Sequence, residues 1–369
     1  MDESATSITF DAHGICNYCS EFLQRSGGLI HEDATIRQAR LDNFISRVKV
    51  AGQGKRYDCV IGVSGGVDSS WALVQAVRLG LRPLAVHMDN GWNSELAQNN
   101  IANLVQKLNV DLYTHVIDWP EYRALMQAFF DANVVDVELL YDNAMLKVNY
   151  QQAVAHGVKF ILAGTNEATE GMKIPVTWNW FKLDKKNITS IAAKFSNVRI
   201  KTFPAIGVLG YLYYEYYRRV KWISFLDFFP YNKNDVLDQL ERDFGYKRYP
   251  YKHYESIFTR FYQGYILPKK FGLDKRRVHL STLVAAGQMS REAAIENLRS
   301  EPYASESELA QDIQYFLKKM QWTRTQLGDY LARPAISHSH YASEKGLWSW
   351  LNKAMQFVPA KLLASLRRR

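Results

Sequence analysis

The sequence predicts an α/β protein whose main domain is built on a doubly wound parallel sheet. Four short segments read as strands, and the first of them is an apolar run typical of a buried parallel strand. They lie at 57–63, 84–87, 112–116 and 160–163. Apolar residues at helical spacing fill the intervals at 68–79, 95–108, 121–132 and 142–156. Strands that alternate with helices in this way predict parallel pairing with right-handed crossovers.

The segments on either side of this alternation have a different character. Residues 1–30 read as loop, and a helical pattern begins at about residue 36. Beyond about residue 175 the sequence is helical and rich in aromatic residues. We therefore expect four parts, with the α/β domain followed by a mostly helical subdomain. The expected parts are a cysteine-containing segment 1–35, the α/β domain 36–175, a substrate subdomain 176–330 and a basic amphipathic tail 331–369.

Composition excludes several classes of protein. A hydrophobic content of 47% with 22% charged residues is ordinary for a soluble globular protein. Three cysteines are too few for a disulfide scaffold. No stretch resembles a signal peptide, and the most apolar run, 203–214, is too short to span a bilayer. We expect a cytoplasmic protein. Its net charge of +9 is weak evidence for nucleic acid, and no nucleic-acid partner is expected.

A turn of small residues joins the first predicted strand to the next helix. Ser64, Gly65 and Gly66 let the backbone turn so that its N–H groups converge as an anion nest. The positive end of the following helix adds to this field. Ser69 and Ser70 can donate their hydroxyls to phosphate oxygens. The sequence therefore predicts a phosphate-binding loop.

The loop as a whole resembles the PP-loop of the ATP pyrophosphatase superfamily. Its residues are Ser64, Gly65, Gly66, Val67, Asp68, Ser69 and Ser70. The lysine of the Walker loop and the second spaced glycine pair of a dinucleotide fold are both missing from this string. Members such as asparagine synthetase, GMP synthetase and tRNA-thiolating enzymes split ATP into AMP and pyrophosphate. The resemblance implies a sheet of the adenine nucleotide alpha hydrolase-like type, with ATP and Mg²⁺ as cofactors and Asp68 capping the helix or helping to hold the metal.

Two other strand ends should lie beside this loop, because ligands of open α/β sheets bind outside the carboxyl ends of the strands. The second strand leads into His87 and Met88. By resemblance Met88 would contact adenine, although a purely structural place in the core is the alternative. After the fourth strand, Gly164 would let the chain pass close to the nucleotide. The polar groups predicted to bind ribose or substrate there are Thr165, Asn166 and Glu167.

Three later strings resemble the N-acetyl sugar amidotransferase family, which serves bacterial surface polysaccharides such as O-antigen. They lie at 178–181, 253–261 and 269–281, within a likeness that runs from about residue 8 to about residue 300. The resemblance implies that the acetamido group of a sugar becomes an acetamidino group. The sugar would be a uronic acid or a related sugar, carried on a nucleotide such as UDP. AMP would first be transferred to the amide oxygen, and ammonia would then displace it.

This chemistry needs cations and proton carriers. Lys275, Arg276 and Arg277 are predicted to neutralise charge on the phosphates, with a solvated basic helix end as the alternative. His253 and Glu255 are predicted to transfer protons from ammonia or to bind the sugar, while a core position is equally compatible with His253. Further residues predicted to contact the substrate, with packing as the alternative for the aromatic ones, are Trp178, Asn179, Trp180 and Ser281.

Ammonia is expected from outside the chain. Asp2 stands where an N-terminal glutaminase would have cysteine, and Cys59 lies inside a predicted strand. The family resemblance implies a separate glutaminase and a synthase-like partner subunit related to imidazole glycerol phosphate synthase.

The cysteines near the amino terminus have the spacing of a zinc knuckle. Cys16 and Cys19 supply two ligands, and His13 would be a third. Relatives in the family carry another such pair just upstream, so we expect either a zinc site completed by preceding residues, a redox pair or unused thiols. At the other end, the aromatic and basic tail around Trp348 and Trp350 is predicted to touch an anionic membrane surface or a partner subunit.

Two rival functions stay open at this point. A tRNA-modifying PP-loop enzyme would adenylate a carbonyl in the same way but deliver sulfur, although no paired catalytic cysteines flank the predicted sheet. A catalytically silent subunit could also retain a nucleotide loop. Release of pyrophosphate with an acetamido sugar nucleotide, compared with tRNA, would separate the three possibilities.

Overall fold

The computed structural model describes residues 1–249 and 254–356. Within them a parallel sheet has the strand order β3-β2-β1-β4-β5. The strands are β1, Cys59–Gly62; β2, Pro83–Asp89; β3, Asp111–Val116; β4, Phe160–Ala163; and β5, Lys221–Ser224. The order reverses between β1 and β4, which creates a crevice at their carboxyl ends. The predicted doubly wound parallel sheet is confirmed.

Both faces of the central strands β1, β2 and β4 are buried, and successive residues point to opposite sides. Val60 belongs to one hydrophobic cluster, whereas its neighbours Cys59 and Ile61 belong to the other. Leu84 and Ala85 divide between the clusters in the same way. Each large aliphatic side chain buried like this contributes about 1.5–3 kcal/mol. This explains why the strands read as continuous apolar runs in the sequence.

The helices of the first half precede the first strand or follow one of the first four strands. They are α1, Asn17–Ile30; α2, Ala34–Gly52; α3, Val67–Arg78; α4, Glu95–Leu108; α5, Trp119–Asp131; α6, Leu139–Ala155; and α7, Glu167–Glu170. Several begin with a side-chain cap, as α2 does at Asp33, α4 at Ser94 and α5 at Asp118. These caps satisfy amide groups that have no partner inside the helix.

The expectation that residues 1–30 form a loop holds for 1–16 and was wrong for 17–30. Helix α1 starts where the Cys16 sulfur accepts a hydrogen bond from the Cys19 amide, and it continues through Gly27 and Gly28. Phe22 and Tyr18 are buried beneath it. Glycine has low helix propensity, but packing of an apolar face overrides propensity.

The second half is mostly helical, as predicted. Its helices are α8, Lys185–Phe195; α9, Val208–Leu212; α10, Lys233–Phe244; α11, Ile257–Phe261; α12, Arg276–Ala285; α13, Arg291–Arg299; α14, Glu306–Met320; α15, Arg324–Ala332; and α16, Lys345–Gln356. Wider π-helical turns cover Tyr213–Tyr217 and Tyr262–Phe271, and 3-10 turns cover Phe225–Phe228 and His338–His340. Strand β5, which the sequence did not reveal, also comes from this half.

Aromatic side chains join the two halves. Phe130 of α5 makes edge contacts with Phe316, Trp322 and Tyr330, at ring-centroid distances of 5.7, 5.1 and 5.1 Å. The second half therefore packs directly on the helices that cover the sheet. The predicted boundaries at residues 35, 175 and 330 stay predictions. No helix within the described ranges is long and apolar enough to cross a membrane.

Candidate nucleotide site

A cavity of about 520 Å³ opens at the carboxyl ends of β1, β2 and β4. This volume lies within the range of small-molecule sites, roughly 300–1,000 Å³. Nine of the residues singled out from the sequence line it. They are Ser64, Gly66, Val67, Asp68, Ser69, Met88, Gly164, Thr165 and Glu255. The switch point of the sheet therefore brings together the loop, the end of β2 and the turn after β4.

The turn after β1 gathers hydrogen-bond donors on one side. The Ser64 amide donates to Ser69 Oγ at 3.2 Å, and the Gly66 amide donates to Ser64 Oγ at 3.2 Å. The two serine hydroxyls lie 3.1 Å apart. Helix α3 begins directly after Gly66, so its N-terminal end faces the same space. Converging amides, hydroxyls and a helix N-terminus are the donor set that binds phosphate oxygens.

Gly164 shapes the opposite side of the loop. A Cβ atom at this position would lie 2.6 Å from the Asp68 carbonyl carbon and 2.6 Å from the Ser69 amide nitrogen. These are backbone atoms that cannot move aside without displacing the loop. Glycine is therefore required where the turn after β4 packs against the start of α3.

Three carboxylates line the same cavity, those of Asp68, Glu170 and Glu255. Asp68 accepts a hydrogen bond from the Tyr231 hydroxyl. Burial raises the pKa of Tyr231, so this phenol stays a donor. Carboxylate oxygens beside a phosphate-binding loop are the ligands that Mg²⁺ prefers. The described residues form no group of three such side chains that could hold a metal ion alone, so phosphate oxygens would have to supply the remaining ligands of a magnesium ion.

An apolar end of the cavity lies between β2 and α6. Tyr141, Met145 and Asn149 are spaced four residues apart, so one face of α6 forms this wall, opposite Val86 and Met88. Asn149 is 2% exposed, and its amide nitrogen donates to the Met145 carbonyl at 2.9 Å. Its Oδ1 has no hydrogen-bond partner in the described part of the chain. A buried acceptor of this kind is costly unless a ligand donates to it.

Two of the predicted loop and strand residues are turned away from the cavity. Ser70 is buried in α3, where its hydroxyl has no partner among the residues described. His87 is also buried, with Nδ1 2.8 Å from the Val63 carbonyl and Nε2 3.0 Å from the Asn93 amide nitrogen. His87 therefore supports the end of β1 from behind. Gly65 adjoins the cavity, but its carbonyl faces the opposite side, toward Tyr246.

The polar residues after Thr165 have structural partners. The Asn166 side chain caps α7 by accepting from the Thr169 amide at 2.8 Å. The Glu167 carboxylate accepts hydrogen bonds from the Arg25 guanidinium at 2.7 Å and from the Ser26 hydroxyl at 2.5 Å. The structure does not bring these two side chains into the cavity, and their roles in substrate binding stay predictions.

The aromatic string at 178–181 lies in the interior. Trp178 is 1% exposed, and its indole nitrogen donates to the Ser4 carbonyl at 3.1 Å. Trp180 stacks on His338 with ring centroids 5.0 Å apart. Asn179 has a buried side-chain oxygen with no partner in the described ranges. The structure therefore places this string in packing rather than at the nucleotide cavity.

The predicted cationic cluster does not line the nucleotide cavity. Lys275 binds Glu138 at 2.7 Å, Arg276 binds Asp274 at 2.8 Å, and Arg277 pairs with Asp2. Ser281 lies on the same helix, and its hydroxyl is 2.6 Å from the amino group of Met1. Each of these groups already has a protein partner, and a direct role on the phosphates stays a prediction.

A second cavity of about 230 Å³ includes Lys275 and Arg276 in its wall. Arg260 and His279 also line it. Lys233, the first residue of α10, lines both this cavity and the nucleotide cavity. The two spaces therefore lie side by side.

The remaining predictions concern the ends of the chain and one histidine. His253 lies outside the described residues, as do positions 357–369 of the tail. The sulfurs of Cys16 and Cys19 are 3.4 Å apart, but the described ranges hold no group of three or more His, Cys, Asp or Glu residues that could bind a metal. Zinc binding stays a prediction. Trp348 packs against Phe181, with ring centroids 5.7 Å apart.

The sequence did not reveal several residues that complete the nucleotide cavity. Tyr231, Tyr249 and Lys233 come from a stretch with no motif, and Tyr141 and Asn149 come from a helix that reads as ordinary core. A polar residue on the same helical face as an apolar stripe, as Asn149 is, was the one local signal that could have been used.

The fold and the loop together define a PP-loop nucleotide-binding protein. Residues 38–174 match the NAD synthase family. Residues 255–355 match a second family, which is described as the C-terminal domain of WbpG-like LPS biosynthesis proteins. A comparison with curated proteins gave no match.

The solved structures that are similar to the chain include two synthetases. NMN synthetase from Francisella tularensis shares 17% identity with a TM-score of 0.34, over 71% of this chain and 96% of its own. The NH3-dependent NAD synthetase from Campylobacter jejuni shares 16% identity with a TM-score of 0.31, over 74% of this chain and 100% of its own.

The two family matches cover the α/β part and the helical part in turn. Together they support a PP-loop family of the amidotransferase type that serves lipopolysaccharide biosynthesis. The chain is thus an ATP-using, ligase-like enzyme of that biosynthesis. The superfamily and the surface-polysaccharide context that the sequence motifs implied are confirmed.

Proposed function

We propose that the chain converts the acetamido group of a sugar into an acetamidino group, using ATP and ammonia. One observation carries the proposal. The phosphate loop and the start of the WbpG-like segment share one cavity, since the Glu255 carboxyl carbon lies 3.6 Å from the position of a Cβ at Gly66. A residue that opens the polysaccharide-biosynthesis segment therefore faces the atoms that would hold the pyrophosphate of ATP.

The reaction balances in two steps. The amide oxygen of the acetamido group attacks the α-phosphorus of ATP, the bond from that phosphorus to the bridging oxygen breaks, and pyrophosphate leaves. Ammonia then adds to the former amide carbon. The carbon–oxygen bond breaks, and AMP departs with the original amide oxygen. Protons released from ammonia and from the amide nitrogen pass to a base and to solvent.

The residues of the cavity divide this work. The amides and hydroxyls of Ser64, Gly66 and Ser69 would stabilise the charge that develops on the departing pyrophosphate. Asp68 and Glu170 would hold a magnesium ion, which shields the negative charges of the phosphates when bound. Glu255, beside the loop, is suited to accept a proton from ammonia as it adds.

The apolar end of the cavity suits adenine. Met88 and Met145 offer flat apolar contact, and the unpartnered Oδ1 of Asn149 is an acceptor for the exocyclic amine. The Met145 carbonyl holds the amide nitrogen of Asn149, so the oxygen is the end presented. Guanine has an oxygen at the corresponding position and would leave two acceptors facing each other. These features support ATP over GTP.

The acceptor sugar would occupy the space that Lys233 shares with the nucleotide cavity, close enough for its amide oxygen to approach the α-phosphate. Free ammonium should serve as nitrogen donor. In the cell we infer that a separate glutaminase and its synthase-like partner deliver ammonia. Glutamine that supports turnover of the isolated chain as well as ammonium does would contradict this part.

The direct test is mass spectrometry of acetamido sugar nucleotides incubated with the protein, ATP and ammonium. We expect one sugar of a panel to become lighter by the difference between oxygen and NH, with release of pyrophosphate and AMP. Pyrophosphate release that depends on tRNA instead would favour a tRNA-modifying enzyme. No pyrophosphate release with any acceptor, despite ATP binding, would favour a silent nucleotide-binding subunit.

Adjacent serines provide a matched pair of variants. Ser69→Ala removes a hydroxyl that faces the cavity and should lower the rate of pyrophosphate release by roughly 10-fold. Ser70→Ala removes a buried hydroxyl without a partner in the described ranges and should leave that rate unchanged. Equal effects of the two substitutions would contradict the proposed geometry of the loop.

A further inference from the structure

The carbonyl oxygen of Gly65 receives two phenol hydroxyls from the second half of the chain. Tyr246 donates to it at 3.1 Å, and Tyr249 donates at 2.9 Å. A carbonyl oxygen has two lone pairs, so the two tyrosines saturate it. Tyr246 is 4% exposed. The bond from Tyr246 is therefore shielded from water, Tyr249 is partly buried, and the two bonds together hold the carbonyl in one direction.

This direction determines where the next amide points. The carbonyl of Gly65 and the N–H of Gly66 belong to one trans peptide unit and face opposite ways. The tyrosine hydroxyls lie on the carbonyl side of that peptide unit, and the Tyr249 side chain also lines the nucleotide cavity. The Gly66 amide lies on the other side, 3.2 Å from Ser64 Oγ, in the wall of the nucleotide cavity. Holding the Gly65 carbonyl therefore fixes the Gly66 amide at the wall of the nucleotide cavity.

The peptide between these glycines needs such support. Gly65 has φ +83°, a conformation that residues with a side chain rarely adopt. Neither residue has a Cβ that would resist rotation of the shared peptide plane. Rotation would replace the Gly66 amide by the Gly65 carbonyl at the cavity wall, and a carbonyl oxygen would repel phosphate.

The segment that carries the tyrosines is itself fixed to α4, through Lys247 and Tyr249. Asn100 is 1% exposed and accepts from the Lys247 amide at 2.9 Å. Its nitrogen donates to the Lys247 carbonyl at 3.0 Å and to the Tyr249 hydroxyl at 3.3 Å. Burial raises the pKa of both tyrosines, so both hydroxyls stay protonated near neutral pH. The Gly65 carbonyl is thus held by two fixed hydroxyl groups that stay protonated.

We propose that Tyr246 and Tyr249 are positioning residues for ATP: they hold the Gly65–Gly66 peptide so that the Gly66 amide binds the polyphosphate. The inference rests on the proposed use of ATP, because it assigns the phosphate loop its orientation. It also gives the second half of the chain a part in nucleotide binding, through residues that lie before the WbpG-like segment.

The test compares ligands with and without phosphates. Tyr246→Phe, Tyr249→Phe and the double variant keep both rings and remove only the hydroxyls. Calorimetric titration of the full chain with ATP and with inorganic pyrophosphate should show affinity falling roughly 5-fold in each single variant and roughly 20-fold in the double variant. Adenosine, which has no phosphate, should bind the double variant as it binds the wild type.

Tyr57→Phe is the matched control, since Tyr57 is also buried but donates to Asp111, at 2.7 Å, outside the nucleotide cavity. It should not change pyrophosphate binding. A double variant that melts like the wild type and binds pyrophosphate equally well would overturn the inference while leaving ATP use intact. If the affinities for pyrophosphate and for adenosine fell equally, the tyrosines would support the packing of the site rather than position the phosphate loop, which would also overturn the inference. A wild-type protein that binds neither ATP nor pyrophosphate would overturn both proposals.

Discussion

The two cavities of this protein lie side by side but hold their polar groups differently. The nucleotide cavity presents backbone amides and hydroxyls that converge from a strand end and a helix start. In the second cavity, Arg260, Lys275 and Arg276 each bind a carboxylate, at distances of 2.6–2.8 Å. In the first arrangement the neutral donors bond to hydroxyls and a carbonyl of the same loop, which phosphate oxygens could replace, whereas in the second the cations are held by carboxylates.

The difference shows what a local motif can indicate about function. A turn at the end of a buried strand fixes the position of its own amides, because the sheet fixes the strand. A string of basic residues fixes nothing of the kind, since long side chains bind whatever carboxylates lie nearby. The cationic string at 275–277 therefore reads as catalytic in the sequence but is paired in the structure.

The largest expected effect concerns the ion-paired region, defined here as Asp136, Glu138, Lys182, Lys275 and His338. Lys182 binds Asp136, whose side chain is 1% exposed, at 2.7 Å. Lys182→Met leaves this carboxylate without its cation and should lower the free energy of unfolding by about 3–5 kcal/mol. Urea denaturation measures the loss.

Arg299→Ala is the control for that substitution. Arg299 and its partner Glu296 have side chains 73% and 70% exposed, so removing their ion pair should cost about 0.5 kcal/mol or less. If both variants were equally stable, the charges of the ion-paired region would be better hydrated than the structure indicates.

The next effect is a loss of stability in acid. Burial lowers the pKa of His338 from 6.5 to about 4, against the smaller opposing effect of Asp136. The unfolded chain takes up a proton near pH 6.5, whereas the folded protein resists it until about pH 4. Stability should therefore fall as the pH drops from 6.5 to 4, by about 3 kcal/mol in total.

His338→Gln isolates this contribution. Glutamine can donate to Asn187 and accept from the Asp136 amide, as the neutral imidazole does at 2.8 and 3.2 Å. The variant should show a shallower dependence of unfolding free energy on pH between 4 and 6.5. Identical slopes would mean that His338 carries a proton in the folded protein.

The smallest of the three effects lies at the nucleotide cavity. Gly164→Ala places a methyl group 2.6 Å from the backbone of Asp68 and Ser69 and must displace the phosphate loop. A displacement of this kind should weaken ATP binding by about 100-fold. Gly328→Ala is the control, because its Cβ would meet nothing within 4 Å and alanine favours the helix. If Gly164→Ala bound ATP with unchanged affinity, the turn after β4 would not shape the nucleotide site.

The sequence predicted the sheet and the phosphate loop because their signals are local. Buried strands such as Cys59–Gly62 are short apolar runs, and the loop follows one of them directly. Strand β5 escaped notice because Lys221–Ser224 is short, half exposed and begins with a lysine. Helix α1 was missed because Gly27 and Gly28 suggest a turn, and only tertiary packing of Phe22 outweighs them.

The rest of the site depends on contacts between distant segments. Tyr231, Tyr246 and Tyr249 reach the loop from more than 160 positions away along the chain. No period or spacing marks a tyrosine as one that will donate to a glycine carbonyl. Trp180 was misleading in the opposite sense, because an aromatic residue beside polar neighbours can equally well stack on an interior histidine.

The pairing of β5 with β4 limits how the chain can be divided. A fragment that ended near residue 175 would lose β5 and leave the backbone of Phe160–Ala163 uncovered along one side. Bare strand edges recruit other strands, so such a fragment would tend to self-associate. A chimera that joins the α/β part of this chain to the helical part of a relative would thus need its junction beyond Ser224. That position lies inside the segment that the sequence alone presents as a separate subdomain.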